Sequence, residues 1–287
     1  MNAKLLMIQG TSSGSGKSTL VVALCRILTD QGYRVVPFKA QNMSSNVYVI
    51  KERSHKMIAR IQAIQAIASR REPDVRMNPI LLKPLGDYQS NVILNGKFHS
   101  QMHAKEYYEG FALQKAFPII LNSLDSLRKE NDIIIIEGAG SPVEINISKY
   151  DIANMLLAEK VSAPVVIVAD IERGGCFASI VGTMKLLKLS HRNLVKGFII
   201  NKFRGNYSIL DSAIKSVEKI TRRKIFGIIP KADFNLPDED SLNGNSSNKL
   251  VFSKESLDEQ IDLLANIVQQ CIDIQEILSQ VVALTRK

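Results

Sequence analysis

GTSSGSGKST (10–19) decides how the rest of this chain is read. The phosphate-loop pattern is G-x-x-x-x-G-K-S/T. Counting back from Gly16-Lys17-Ser18 puts its first glycine at position 11, yet residue 11 is threonine and Gly10 stands one place early. The stretch follows the apolar run LLMI (5–8) and opens an amphipathic helical pattern over 17–31. A strand, a glycine-rich turn and a helix N-terminus together make an anion site, because the turn's amides and the helix dipole point at the same place. Gly14 and Gly16 let the backbone curl, Lys17 is expected on the β- and γ-phosphates, and Ser18 offers a hydroxyl to Mg²⁺. The nucleotide-binding set read from the loop is Thr11, Ser13, Gly14, Ser15, Gly16, Lys17, Ser18 and Thr19. The early glycine is expected to alter the entry to the loop and to leave its phosphate cradle intact.

Outward from this loop, apolar runs alternate with amphipathic stretches. LLMI (5–8), VVPF (35–38), IIIIEG (133–138), VVIVAD (165–170), GFIIN (197–201) and IFGII (225–229) read as strands buried on both faces. Helical patterns fall at 17–31, 57–69, 104–129, 152–159, 178–188 and 208–221. Repeated β-α-β order predicts a mostly parallel, doubly wound α/β sheet, whose ligands bind beyond the C-terminal ends of the strands. The unusual polar clusters follow those ends: Gly10–Thr19, Lys39–Asn42, Glu137–Pro142, Asp170–Gly175 and Asn201–Gly205. This predicts one composite site. The expected domain is 1–230, followed by an Asn/Asp/Ser-rich linker at 231–256 and a C-terminal helix at 257–287. In that helix Ile261, Leu264, Val268, Cys271, Leu278 and Val282 fall on a seven-residue repeat that Gln275 interrupts. It reads either as packed on its own domain or as a docking or homodimer helix.

The 287 residues carry 37 Lys and Arg against 28 Asp and Glu, a net charge of +9, which favours anionic partners. Without a long basic run or aromatic–basic alternation, small polyanions are expected in place of nucleic acid. Cys25, Cys176 and Cys271 form no C-x-x-C pair, and the odd count suits a reducing cytoplasm. His55, His99, His103 and His191 lack metal-site spacing, and no zinc centre is expected. The N-terminal apolar run is too short for a signal peptide, and no run approaches the roughly 18 apolar residues of a membrane span. A cytoplasmic location without membrane association is the expectation.

The strand-end loops supply the rest of the chemistry. Glu137 sits at a strand tip, where a carboxylate holds Mg²⁺ directly or through water, or serves as a structural acid. Asp170, Glu172 and Arg173 precede Gly174-Gly175. Arg173 suits a phosphate or a substrate carboxylate, because its fork binds two oxygens at once, while Asp170 is alternatively an ion-pair partner. Asn201 reads either as an adenine contact or as a turn residue. Cys176 lacks a nucleophile elbow, so glutamine hydrolysis is not expected in this chain.

The strings FKAQNMSSN (38–46), MNPILLKP (77–84), EGAGSPVEIN (137–146), DIANMLLAEKVSAPVVIVADIERGG (151–175), GFIINKFRG (197–205) and PDEDSL (237–242) resemble, in order, the synthetase domain of the cobyric acid synthase family. The resemblance covers most of residues 4–242, and IERGG and NKFRG are its most specific segments. The wider relatives, dethiobiotin synthetase and the partitioning ATPases, share a G-T-x-x-x-x-G-K-S/T loop, so the early glycine belongs to a recognised variant. The resemblance implies a P-loop fold of the dethiobiotin synthetase type, with ATP and Mg²⁺ as cofactors. It also implies ATP-dependent amidation of peripheral carboxylates on a corrinoid, in cobalamin synthesis. Within the matching segments Lys17, Lys39 and Arg173 take the catalytic positions, and Gln41, Asn42, Gly174 and Gly175 face the substrate. A carboxylate is a poor electrophile. Phosphorylation converts it to an acyl phosphate that ammonia can attack, and the +9 balance suits a polyanionic corrinoid.

Two features depart from the family pattern. The family usually carries a C-terminal glutaminase domain, whereas here PDEDSL leads through a short linker to a helix resembling the one that ends the full-length family. Ammonia is then expected from solution or from a separate glutaminase subunit. Where the family has Glu-Ile-Gly-Arg, this chain has Met57-Ile58-Ala59-Arg60, with Glu52 as a substitute acid. Two alternatives remain: a dethiobiotin-synthetase-like ligase, which IERGG and QNM oppose, and a non-catalytic switch or scaffold. Partitioning switches usually carry a lysine where this loop has Ser12. Asp87, in KPLGDYQS, reads equally as a substrate contact or a turn residue.

Overall fold

A computed structural model describes residues 2–50, 55–232 and 254–281. The strands run Lys4–Gly10 (β1), Val35–Phe38 (β2), Gln41–Met43 (β3), Val47–Ile50 (β4), Lys56–Ala59 (β5), Ile80–Gly86 (β6), Gln89–Leu94 (β7), Lys97–His103 (β8), Ile133–Glu137 (β9), Val165–Asp170 (β10), Val195–Phe203 (β11) and Lys224–Pro230 (β12). The principal helices are Lys17–Asp30 (α1), Arg60–Ala68 (α2), Phe117–Glu130 (α3), Met155–Val161 (α4), Cys176–Leu186 (α5), Leu189–Leu194 (α6), Asp211–Thr221 (α7) and Lys254–Cys271 (α8).

The six apolar runs assemble into one parallel sheet in the order β12-β11-β10-β1-β9-β2. Its strands alternate between two cores. Leu5, Met7, Val36, Phe38, Ile134, Ile136, Ile167 and Ile200 enter one core. Leu6, Ile8, Val35, Ile133, Ile135, Val166, Val168 and Ile199 enter the other. Burial on both faces is why these strands are continuously apolar and do not alternate with polar residues. The chain leaves β1 toward β9 and β2 on one side and resumes at β10 on the other, so the strand order reverses at β1. In open α/β sheets such a reversal opens a crevice at the carboxyl ends of the strands. The register brings the tips together there: Ile8 lies beside Glu137, Gly10 beside Val168, and Asp170 beside Asn201.

Residues 41–103 differ from the sequence reading. They form a four-stranded sheet, β3-β6-β7-β8, and a separate β4–β5 hairpin. The helical pattern at 57–69 begins as β5, because residues 56–59 pair antiparallel with β4, and the helix starts only at Arg60. A two-residue Asn95-Gly96 turn joins β7 to β8, with φ +47° and +80°. That dipeptide is a strong hairpin signal. Asp87 lies in the β6–β7 turn at φ +46°. The helical pattern at 104–129 is present, and its stretch Tyr107–Ala116 is π-helical.

The last helix packs on its own chain. Ile261, Leu264, Ala265 and Val268 of α8 share a core with Leu20, Leu24 and Leu28 of α1. Arg26 of α1 is buried and paired with Asp258 and Asp262 of α8. The expected single helix is interrupted at Ile272–Asp273, where the chain touches β12 through Gly227 and Phe226. Glu52, Val282, PDEDSL and most of the expected linker lie outside the described residues. Among the described residues no helix is long and apolar enough to cross a membrane.

Candidate active site

Residues 11–16 form a tight loop between β1 and α1, with φ +68° at Gly14 and +96° at Gly16. The early glycine has a steric reason. A Cβ on Gly10 would lie 2.1 Å from Ser15 Oγ and 3.1 Å from the Lys17 side chain. Gly10 therefore clears the space into which Ser15 and Lys17 fold. Lys17 is buried, and its Nζ donates to the carbonyls of Ser12 and Gly140, each at 3.0 Å. Its charge thus lies between the loop and the turn that follows β9. Thr11 N–H donates to the Val168 carbonyl at 2.9 Å, which ties the loop's entry to β10. Ser13 and Gly14 are exposed at the loop's crest, and Ser18 and Thr19 are half-buried in the first turn of α1.

Glu137 organises the interior of the site. Its side chain is completely buried, and Oε1 accepts from Ser18 Oγ at 2.7 Å and from Lys39 Nζ at 2.8 Å. Oε2 accepts from Gln65 Nε2. Burial alone pushes this carboxyl up; the Lys39 ammonium and the Ser18 and Gln65 donors outweigh it and hold it below the usual carboxylate range. An ionised carboxylate and a hydroxyl 2.7 Å apart form a hard-oxygen pair of the kind a small divalent cation takes.

The remaining expected residues divide by location. Lys17, Ser18, Lys39 and Glu137 converge. Gln41 and Asn42 continue from Lys39 and are buried: Gln41 Oε1 accepts from Tyr107 OH at 2.6 Å, and Asn42 Nδ2 donates to Gln62 Oε1 at 2.8 Å. Asn201 Nδ2 donates to the Ser15 carbonyl at 3.0 Å, which places Asn201 against the loop. Arg173, Gly174 and Gly175 are exposed on the turn between β10 and α5. Asp170 pairs with Lys202 at 2.8 Å, and Glu172 pairs with Arg204 and Lys231.

Several contributors escaped the sequence reading. Gln62 and Gln65 are fully buried on α2, and their signal is two glutamines three apart in the otherwise apolar RIQAIQAIA. Asn154 pins the turn after Glu137, accepting from Ala139 N at 2.9 Å and donating to Ala139 O at 2.6 Å. Lys202, next to the expected Asn201, donates to the Gly14 carbonyl at 2.7 Å. Met57 packs on the α1–α8 side of the sheet and is half-buried.

The model of the CobQ/CobB/MinD/ParA nucleotide binding domain matches residues 6–242. The chain belongs to this family. A probable cobyric acid synthase of Thermococcus kodakarensis is 51% identical over 241 residues, covering 83% of this chain and 49% of that protein. The cobyric acid synthase of Streptococcus sanguinis is 46% identical over 255 residues, covering 89% and 50% respectively. This nucleotide-binding chain thus spans about half the length of the curated relatives it matches. Similar solved structures include the septum site-determining protein MinD of Pyrococcus horikoshii, at 14% identity and a TM-score of 0.43, covering 80% of this chain and 82% of that one. The signal recognition particle receptor FtsY of Elizabethkingia anophelis gives 13% and 0.46, covering 91% and 64%.

Proposed function

We propose that this chain is an ATP-dependent amidoligase of the cobyric acid synthase type, acting on peripheral carboxylates of a corrinoid. The observation that carries the reading is the ionised, buried Glu137 at the tip of β9, which accepts from Ser18 of the phosphate loop and from Lys39, while Lys17 donates to Gly140 in the turn that follows. Cobyric acid synthases at 46–51% identity support the substrate class. The site fits ATP and Mg²⁺ on its own geometry: a loop with two left-handed glycines, a buried lysine at its centre, and a hydroxyl–carboxylate pair at the helix N-terminus.

Bound Mg-ATP supplies an activated γ-phosphoryl group and the charge that neutralises it. The chain's own residues position and shield that chemistry. Amides of residues 14–18 would cradle the phosphates, and Lys17 would exchange its carbonyl partners for phosphate oxygens. Ser18 and Glu137 would hold Mg²⁺, and Lys39 keeps Glu137 ionised within the core. Arg173, on its exposed turn, meets a substrate carboxylate or the phosphoryl group. The substrate carboxylate oxygen attacks the γ-phosphorus as ADP leaves. Ammonia then attacks the acyl carbon, phosphate departs, and the amide forms with loss of a proton.

The test is incubation with a cobyrinic acid diamide, Mg-ATP and an ammonium salt, following ADP and product mass. Substrate-dependent ADP release with a mass change of one amide per turnover is expected, and Lys17→Ala abolishes both. ADP release independent of the corrinoid would show a switch instead.

A further inference from the structure

Two consecutive residues of β11 reach the phosphate loop. Asn201 Nδ2 donates to the Ser15 carbonyl at 3.0 Å, and Lys202 Nζ donates to the Gly14 carbonyl at 2.7 Å. In a regular strand successive side chains point to opposite faces, so this pairing requires a break in the pleat. The break is at Lys202, whose φ is +62°, a left-handed value that a lysine rarely adopts. Two further contacts hold the arrangement. Asn201 Oδ1 accepts from Lys202 N at 2.9 Å, and Asp170 Oδ2 lies 2.8 Å from Lys202 Nζ. Asp170 is also the register partner of Asn201.

The consequence follows from peptide geometry. In a trans peptide the carbonyl and the next residue's N–H point in opposite directions. Tying the Gly14 and Ser15 carbonyls to β11 therefore turns the N–H groups of Ser15 and Gly16 away from β11, into the loop. The fit is close enough that a Cβ on Gly16 would lie 2.0 Å from Asn201 Nδ2.

We propose that Lys202, anchored by Asp170, is a positioning residue that presets the loop amides for a nucleotide's polyphosphate and does not read the base. The backbone strain at Lys202 is retained for that brace. This rests on the reading of the chain as an ATP-binding protein.

The test is calorimetric titration of wild type, Lys202→Met, Lys202→Gly and Asp170→Asn with Mg-ATP and with base-free inorganic triphosphate, alongside melting temperatures. Both Lys202 variants are expected to lose about tenfold in affinity, roughly 1.4 kcal/mol, and to lose it equally for the two ligands. Lys202→Gly keeps or raises the melting temperature, because glycine adopts this φ without strain. Asp170→Asn weakens binding less and adds little to Lys202→Met, because the two act on one contact. Three results would overturn the proposal: unchanged ATP affinity, a loss confined to ATP with triphosphate unaffected, or losses that follow falling melting temperatures in both Lys202 variants. Absence of ATP binding by the wild type overturns the ATP reading and this inference with it, whereas wild-type binding with indifferent variants overturns this inference alone.

Discussion

Replacing Lys39 by methionine tests the organisation of the site without changing the volume of the core much. The Lys39 and Glu137 side chains are 2% and 0% exposed and meet at 2.8 Å. Removing one partner of a buried pair costs about 3–5 kcal/mol. Ser18 and Gln65 still donate to Glu137, which places the expected loss at pH 8 near the lower end, about 3 kcal/mol. For a chain of this size that is a fall of roughly 5 °C in melting temperature. The pH dependence identifies the cause. In the wild type the Glu137 carboxyl is held below its ordinary value. Its contribution is therefore present above the unfolded value of about 4.3 and is lost as pH falls through the folded one. In Lys39→Met burial is unopposed by an ammonium and raises the same carboxyl. That carboxyl's contribution to the variant's stability is then fully present below about 4.3 and lost as pH rises through the raised value. The gap between the two proteins should widen from pH 5 to pH 8 in melting curves followed by circular dichroism. Adding Glu137→Gln should restore stability relative to the sum of the single changes, with a coupling of about 2 kcal/mol. A melting temperature lowered by less than about 2 °C at pH 8, or a gap independent of pH, would refute this account of Glu137.

Other outcomes follow from the same structure. Gly10→Ala forces a Cβ against Ser15 Oγ; ATP affinity should fall at least about tenfold, and Ser15→Ala in the same chain should recover part of it, as read by calorimetry. The Asp151 carboxyl is pushed up to about 6 by burial, against its bonds from Asn154 and Ala153. Its contribution is therefore greatest below about 4 and lost as pH rises through 6, and Asp151→Asn should flatten that part of the stability–pH curve. Exchanging Asp258 and Asp262 together for Asn leaves buried Arg26 without its carboxylates and should cost about 1–3 kcal/mol in urea denaturation. Arg26→Met in that background should recover most of it, because a well-packed apolar side chain replaces the unpaired charge.

The main sheet was legible because its strands, all but the edge strand β12, are buried on both faces. IIII at 133–136 has one core on either side, and the period-free apolar run is the direct signature of that burial. In the second sheet only the start of β6, Ile80-Leu81-Leu82, carries that mark. β8 is mostly exposed, so its residues, KFHSQMH, lack an apolar run. The Asn95-Gly96 turn marks its hairpin. The phosphate loop was legible despite its irregular spacing, since strand, turn and helix surround it. The structure adds why the glycine sits early, which depends on contacts with Ser15 and Lys17 that no spacing rule contains. Gln65 and Lys202 were harder to see. A glutamine on an apolar helix acquires meaning only when tertiary folding places Glu137 against it, and the reach of Lys202 depends on a left-handed backbone that its side-chain type does not encode.

The most direct test of the central claim is titration of the folded wild-type chain with ATP by calorimetry, with Mg²⁺ and with EDTA, beside Lys17→Ala. The loop, Ser18 and Glu137 predict saturable uptake of one ATP per chain that needs Mg²⁺ and is lost in the variant. Folded protein that takes up no ATP in the presence of Mg²⁺, or that binds it equally well without Lys17, would contradict the account.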